Sequence, residues 1–130
     1  MLDFSALVGK TLTRCWNDGD EVHFVVSNDE GYKLYHEQDC CESVYVESVD
    51  GDLDDLLGTP ILQAEEVSSV NDNDGCQPID GYDDSFTWTF YNLATIKGYV
   101  TIRFYGTSNG YYSESVYFTC LLYTSDAADE

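Results

Sequence analysis

The segment His36-Glu37-Gln38-Asp39-Cys40-Cys41-Glu42 holds the densest set of side chains able to do chemistry: one imidazole, three carboxyls and two thiols in seven residues. On an extended chain, period two puts His36, Gln38 and Cys40 on one face and Glu37, Asp39 and Cys41 on the other. A cysteine nucleophile needs a base within reach of its sulfur and a third group to orient that base. Four steps of extended chain at about 3.3 Å each separate His36 from Cys40, so the two meet only across a bulge. A zinc centre needs four converging nitrogen or sulfur ligands, and the segment offers neither a Cys-x-x-Cys pair nor a second His at i+4. Cys15 and Cys76 would have to be brought in by the fold. His36, Asp39, Cys40 and Cys41 are therefore the candidates for a cysteine- or metal-dependent reaction. The competing reading is reduced, buried thiols beside an exposed acidic turn.

Oxygen ligands at alternate positions in Asp50-Gly51-Asp52-Leu53-Asp54-Asp55 and Asn71-Asp72-Asn73-Asp74-Gly75 resemble the start of a calcium loop. Neither run completes one. With Gly75 at loop position six, position twelve is Gly81, and with Asp50 at position one, position twelve is Ile61, where a bidentate Glu belongs. What remains is an irregular divalent-cation site drawn from Asp50, Asp52, Asp54, Asp72 and Asp74, against a plain reading as helix cap and solvated loop. No cofactor is expected. Tyrosines gather near the turn Thr107-Ser108-Asn109-Gly110, and Tyr105, Asn109, Tyr111, Tyr112 and Glu114 form the candidate protein-binding rim, since tyrosine beside acids suits one. Cross-strand aromatic packing is the alternative for the same residues.

These groups must be positioned by short elements. Asp3 can cap a brief helix over Phe4-Ser5-Ala6-Leu7-Val8 that Gly9 stops, and Asp52 can cap a second over Leu53–Leu57 that Gly58 and Pro60 stop. Strands are expected over 10–16, 21–27, 32–36, 43–47, 61–67, 86–91, 99–105 and 112–118, where aromatic and β-branched residues alternate with polar ones. Asn17-Asp18-Gly19-Asp20 predicts a tight turn between the first two. Lys97-Gly98 and Asn109-Gly110 predict two further hairpins. The polar stretch 68–85 reads as the long loop. Leu7-Val8-Gly9-Lys10-Thr11-Leu12 echoes Leu56-Leu57-Gly58-Thr59-Pro60-Ile61, and Glu42-Ser43-Val44-Tyr45-Val46 echoes Glu114-Ser115-Val116-Tyr117-Phe118, so a pseudo-repeat of one helical turn and four strands is one reading. Convergent use of helix-stop and strand residues is the other. The fold class is α+β, mainly antiparallel, with seven to eight short strands and one or two short helices.

With 130 residues, 43 % hydrophobic and 15 % aromatic, the chain can bury a core without metal or disulfide. Its 25 acids against five bases, net -20, repel phosphate backbones and anionic lipid heads, so direct nucleic-acid binding and membrane association are disfavoured. No apolar run reaches the roughly 18 residues of a membrane span, and the first residues lack a secretory pattern, so a cytoplasmic setting with reduced thiols is expected. Residues 120–130, Cys-Leu-Leu-Tyr-Thr-Ser-Asp-Ala-Ala-Asp-Glu, resemble an in-frame translation of the transposon mosaic-end adapter used in sequencing libraries. The expected domain is therefore 1–119, with 120–130 as a tail. Setting aside Asp126, Asp129 and Glu130 leaves 22 acids against five bases, still net -17.

Four ordered blocks, Tyr35–Glu42, Gly51–Pro60, Trp88-Thr89-Phe90-Tyr91 and Ser108–Glu114, resemble a small family of unknown function encoded by phages, prophages and their bacterial hosts. That resemblance implies provenance and no activity, cofactor or catalytic residue. A non-enzymatic accessory protein follows as the expectation, one that binds a host or phage protein with a basic surface, in one version by mimicking DNA. A metal- or cysteine-dependent enzyme and a virion component are the alternatives.

Overall fold

The computed structural model describes residues 3–26, 30–37, 42–70, 85–108 and 114–122. Eight strands are present: β1 Arg14–Asn17, β2 Val22–Val25, β3 Glu30–Tyr35, β4 Ser43–Asp50, β5 Gln63–Val70, β6 Ser85–Thr95, β7 Gly98–Ser108 and β8 Tyr117–Leu122. They form two four-stranded sheets, ordered β1-β2-β3-β8 and β4-β7-β6-β5, and every paired neighbour is antiparallel. The fourth strand in chain order thus joins the sheet of strands five to seven, and the eighth joins that of strands one to three.

The two expected helices are single 3-10 turns, η1 Phe4–Leu7 and η2 Leu53–Leu56, and among the described residues there is no α-helix. The caps are as expected: the Asp3 carboxylate accepts from Ser5 N and that of Asp52 from Asp54 N. Four residues supply too few hydrogen bonds to carry an α-helix past its nucleation cost, and Gly9 at φ +88° ends the first turn at once. Lys10 to Leu12 is not part of β1. It runs beside the segment 57–61, through Thr11–Pro60 and Leu12–Leu57 bridges.

The turn after Asn17 forms as its residues demand. Asp18 Oδ1 accepts from Asp20 N and Glu21 N, and Gly19 supplies the left-handed φ of +101°. Ile96 and Lys97 turn β6 into β7 as an antiparallel hairpin. The hairpin expected at Asn109-Gly110 is not one: β7 is flanked by β4 and β6, and β8 crosses to β3 in the other sheet. β4 already occupies the edge of β7 that β8 would have used. β8 also runs on through Cys120 to Leu122, three residues beyond the boundary expected at 119.

Alternation places the core between the sheets. Val22, Phe24, Tyr32, Leu34 and Phe118 of one sheet face Tyr91, Leu93, Val100, Ile102 and Phe104 of the other, all nearly or fully buried. Phe4 sits where they meet, its ring 4.8 Å from Tyr91, 5.1 Å from Phe118 and 6.1 Å from Phe24. One four-residue turn thereby anchors both sheets with tilted and edge-to-face aromatic contacts. Edge strand β5 carries the exposed carboxylates Glu65 and Glu66, which discourage pairing with a foreign strand. Among the described residues no helix is long and apolar enough to cross a membrane.

Candidate functional site

His36 lies just past β3 and Glu42 just before β4, at the point where the chain changes sheets. Their side chains are 2 % and 1 % exposed, with Nε2 2.9 Å from Glu42 Oε2. The other ring nitrogen, Nδ1, donates to the Ser115 carbonyl at 2.6 Å, because a carbonyl oxygen only accepts. The ring also stacks on Tyr117 at 6.1 Å and 11°. Both nitrogens are thus occupied and the ring is shut from solvent, so His36 is spent on joining the ends of β3, β4 and β8. Asp39, Cys40 and Cys41 lie outside the described residues.

Among the described residues, Asp50, Asp52 and Asp54 do not gather with other ligand groups. Asp52 is a cap, Asp54 sits in η2, and Asp50 ends β4 with its side chain exposed. Asp72 and Asp74 lie outside the described residues. Among the described residues, the one group of His, Cys, Asp and Glu whose ligand atoms gather within 4.8 Å is Asp18, Glu21 and His23. Sequence reasoning passed it over. The signal was the spacing itself: Glu21 and His23 alternate along one strand face, and the Asp18 turn folds back onto it. His23 Nε2 is 3.2 Å from Glu21 Oε1 and 3.6 Å from Asp18 Oδ2, while Lys33 Nζ is 3.5 Å from Glu21 Oε2. Desolvation pushes the Asp18 carboxyl up, but backbone donors Glu21 N and Asp20 N, then the His23 ring, outweigh it and hold it below the usual carboxylate range. Trp16 lies flat on His23 at 4.6 Å, and Arg14 lies over Trp16 at 5.3 Å. With Lys33 already on Glu21, the group is accounted for as an ion-pair network.

Tyr105 is not a rim residue. It is 2 % exposed, packed on the outer face of its sheet against Trp88 at 4.7 Å, Tyr45 at 6.1 Å and Phe86 at 6.3 Å. Cross-strand aromatic packing accounts for it. Glu114 is likewise engaged, accepting from Thr87 Oγ1 and Ser108 Oγ at 2.7 Å each. Asn109, Tyr111 and Tyr112 lie outside the described residues. Gly106-Thr107-Ser108-Asn109-Gly110 has the Gly-x-Ser-x-Gly spacing of a nucleophile elbow, but Ser108 ends an antiparallel strand and its hydroxyl donates to a carboxylate.

Two thiols are described. Cys120 is exposed. Burial, with the Asp54 charge adding to it, pushes the half-buried Cys15 thiol up to about 12. The thiolate is the reactive form, so Cys15 is expected to alkylate far more slowly at pH 8 than Cys120. Timed iodoacetamide labelling mapped by mass spectrometry checks this, and equal rates would show that Cys15 is not sequestered.

All five cationic side chains are held within the chain. Lys10 pairs with Glu30 at 3.3 Å, Lys33 with Glu21, and Arg103 with Glu47 at 3.5 Å and the Ser48 hydroxyl at 2.7 Å. Lys97 donates to the Leu57 carbonyl at 2.7 Å, and Arg14 rests on Trp16. Glu30 also accepts from the Tyr32 hydroxyl, which holds its carboxyl low against desolvation, while burial and that same bond push the Tyr32 phenol up. The large acidic excess is therefore left without internal counter-charge.

No curated protein and no solved structure matches this chain. A family model, the domain of unknown function DUF7448, matches residues 5–118 and so takes in η1 from its second residue, η2 and the described sandwich up to Phe118. The chain belongs to the DUF7448 family.

Proposed function

We propose that this domain acts without covalent chemistry, by binding a protein with a basic surface. The observation that carries this reading is the charge arrangement: five cations, each engaged inside the fold, against 25 acids. Such a surface attracts cationic partners over about a Debye length, 10 Å at 0.1 M salt, and repels polyanions. The resemblance of the four sequence blocks to a family of phages and prophages is what suggests an accessory role inside a bacterial host. In one version the carboxylates stand in for DNA phosphates, which lie at about one charge per 1.7 Å of duplex axis, and fill a nucleic-acid channel. A catalytic reading centred on His36 is not favoured, because that ring is buried and bonded on both nitrogens.

The test is affinity capture from bacterial lysate on the immobilised domain, eluted with rising salt, together with titration of labelled duplex DNA. Capture of basic proteins, released as salt climbs through a few tenths molar, is the expected outcome, with no binding of the duplex. A lysate that yields nothing at low salt, or tight capture of the duplex, overturns the reading. Co-sedimentation with phage particles would point instead to a virion component.

A further inference from the structure

We propose that the domain is a tandem of two copies of one strand-exchanging unit, 3–50 and 52–122, in which the open edges of β3 and β7 each take the last strand of the other copy. The partner that these edges fit is thus a second copy of the unit. This inference stands apart from the binding role proposed above.

The support is a set of matched, long-range relations. Each unit is one 3-10 turn followed by four strands, and the two sheets read β1-β2-β3-β8 and β5-β6-β7-β4, three strands from one unit and the fourth from the other. Caps and stops recur at a separation of 49 residues: Asp3 and Asp52 accept from Ser5 N and Asp54 N, and Val8 N and Leu57 N donate to Ser5 O and Asp54 O. Gly9 and Gly58 follow at φ +88° and +82°. Local helix-stop chemistry could produce those matches independently. It does not account for the bonds between the two segments, where Gly9 N donates to Ile61 O at 2.8 Å and Gly58 N donates to Leu12 O at 2.9 Å. Those two bonds interchange when 9 and 12 are swapped with 58 and 61, as a twofold axis requires. One pair of turn contacts obeys the same exchange, η1 on β5 and η2 on β1, while η2 packs in addition on β6 and β7.

The crossings match as well, at a separation of 72 residues. Glu42 is held by His36, six residues earlier, and Glu114 by Ser108, six residues earlier. Glu42 lies one residue before β4 and Glu114 three residues before β8, each on the stretch of chain that leaves for the other sheet.

A circular permutant tests this. By the proposed symmetry, the end of β8 stands to Asp3 as the end of β4 stands to Asp52, with a single residue between them. A chain running 52–122, two glycines, then 3–50 is expected to be monomeric and to melt within about 5 °C of the parent. A second permutant with a join of about ten Gly and Ser residues serves as control, since a longer flexible join adds little closure cost. Folding of the long-joined chain alone would show that the ends are not juxtaposed and would overturn the proposal. So would failure of both, because two complete units tolerate a cut between them.

Discussion

Replacing His36 by alanine is expected to destabilise the domain by about 3 kcal/mol, which lowers its melting temperature by roughly 10 °C or more. The reason lies in what is left behind. Glu42, 1 % exposed, loses the ring nitrogen at 2.9 Å, and the Ser115 carbonyl loses its donor at 2.6 Å. Water does not reach the Glu42 carboxylate without opening the crossing, whereas Ser115 is exposed. The effect is thus mostly the cost of keeping the Glu42 carboxylate buried without the ring and only partly the loss of a contact. A double-mutant cycle with Glu42→Gln, followed by urea denaturation, isolates the pair, with a coupling of about 1–3 kcal/mol expected. A loss below about 1 kcal/mol for His36→Ala would mean that the crossing is solvated in solution.

Gly51→Ala is the second large effect, expected at about 3 kcal/mol. Gly51 has φ +103°, and a Cβ there would sit 2.6 Å from the Tyr99 carbonyl oxygen and 3.3 Å from Val100. The clash is with backbone of β7, so no side-chain rotation relieves it. The corner that leads from β4 into η2 must lift off the sheet. Gly19→Ala provides the internal control: its φ is +101°, but nothing lies within 4 Å of its added Cβ. That variant should cost only the left-handed backbone strain, about 1 kcal/mol. Chemical denaturation of both separates strain from close approach, and equal losses would remove the steric argument.

Legibility in the sequence was uneven, for reasons visible in particular residues. Asn17-Asp18-Gly19-Asp20 announced a hairpin because turn chemistry is local: an Asx side chain and a left-handed glycine select the turn before anything else folds, and at Lys97-Gly98 the Thr95 hydroxyl, accepting from Lys97 N, plays the local part. Asn109-Gly110 carried the same signal and misled, because β8 is taken by the edge of β3, in the other sheet. Asp3 and Asp52 were readable as caps, yet the turns they cap stop after four residues. The Asp18, Glu21 and His23 group was within reach of period-two reasoning, whereas the burial of His36 was not.

By itself, then, the sequence determined strand character, the local turns, the caps and the sign of the electrostatic field. All of these follow from side-chain type and neighbours a few residues away. The tertiary structure alone decided which edge each fourth strand joins, that Tyr105 is buried in an aromatic cluster on the outer face of its sheet, and that His36 closes a crossing instead of facing solvent. Those outcomes rest on contacts between residues far apart in the chain, such as the 79 positions from His36 to Ser115, and no local pattern encodes such a pairing.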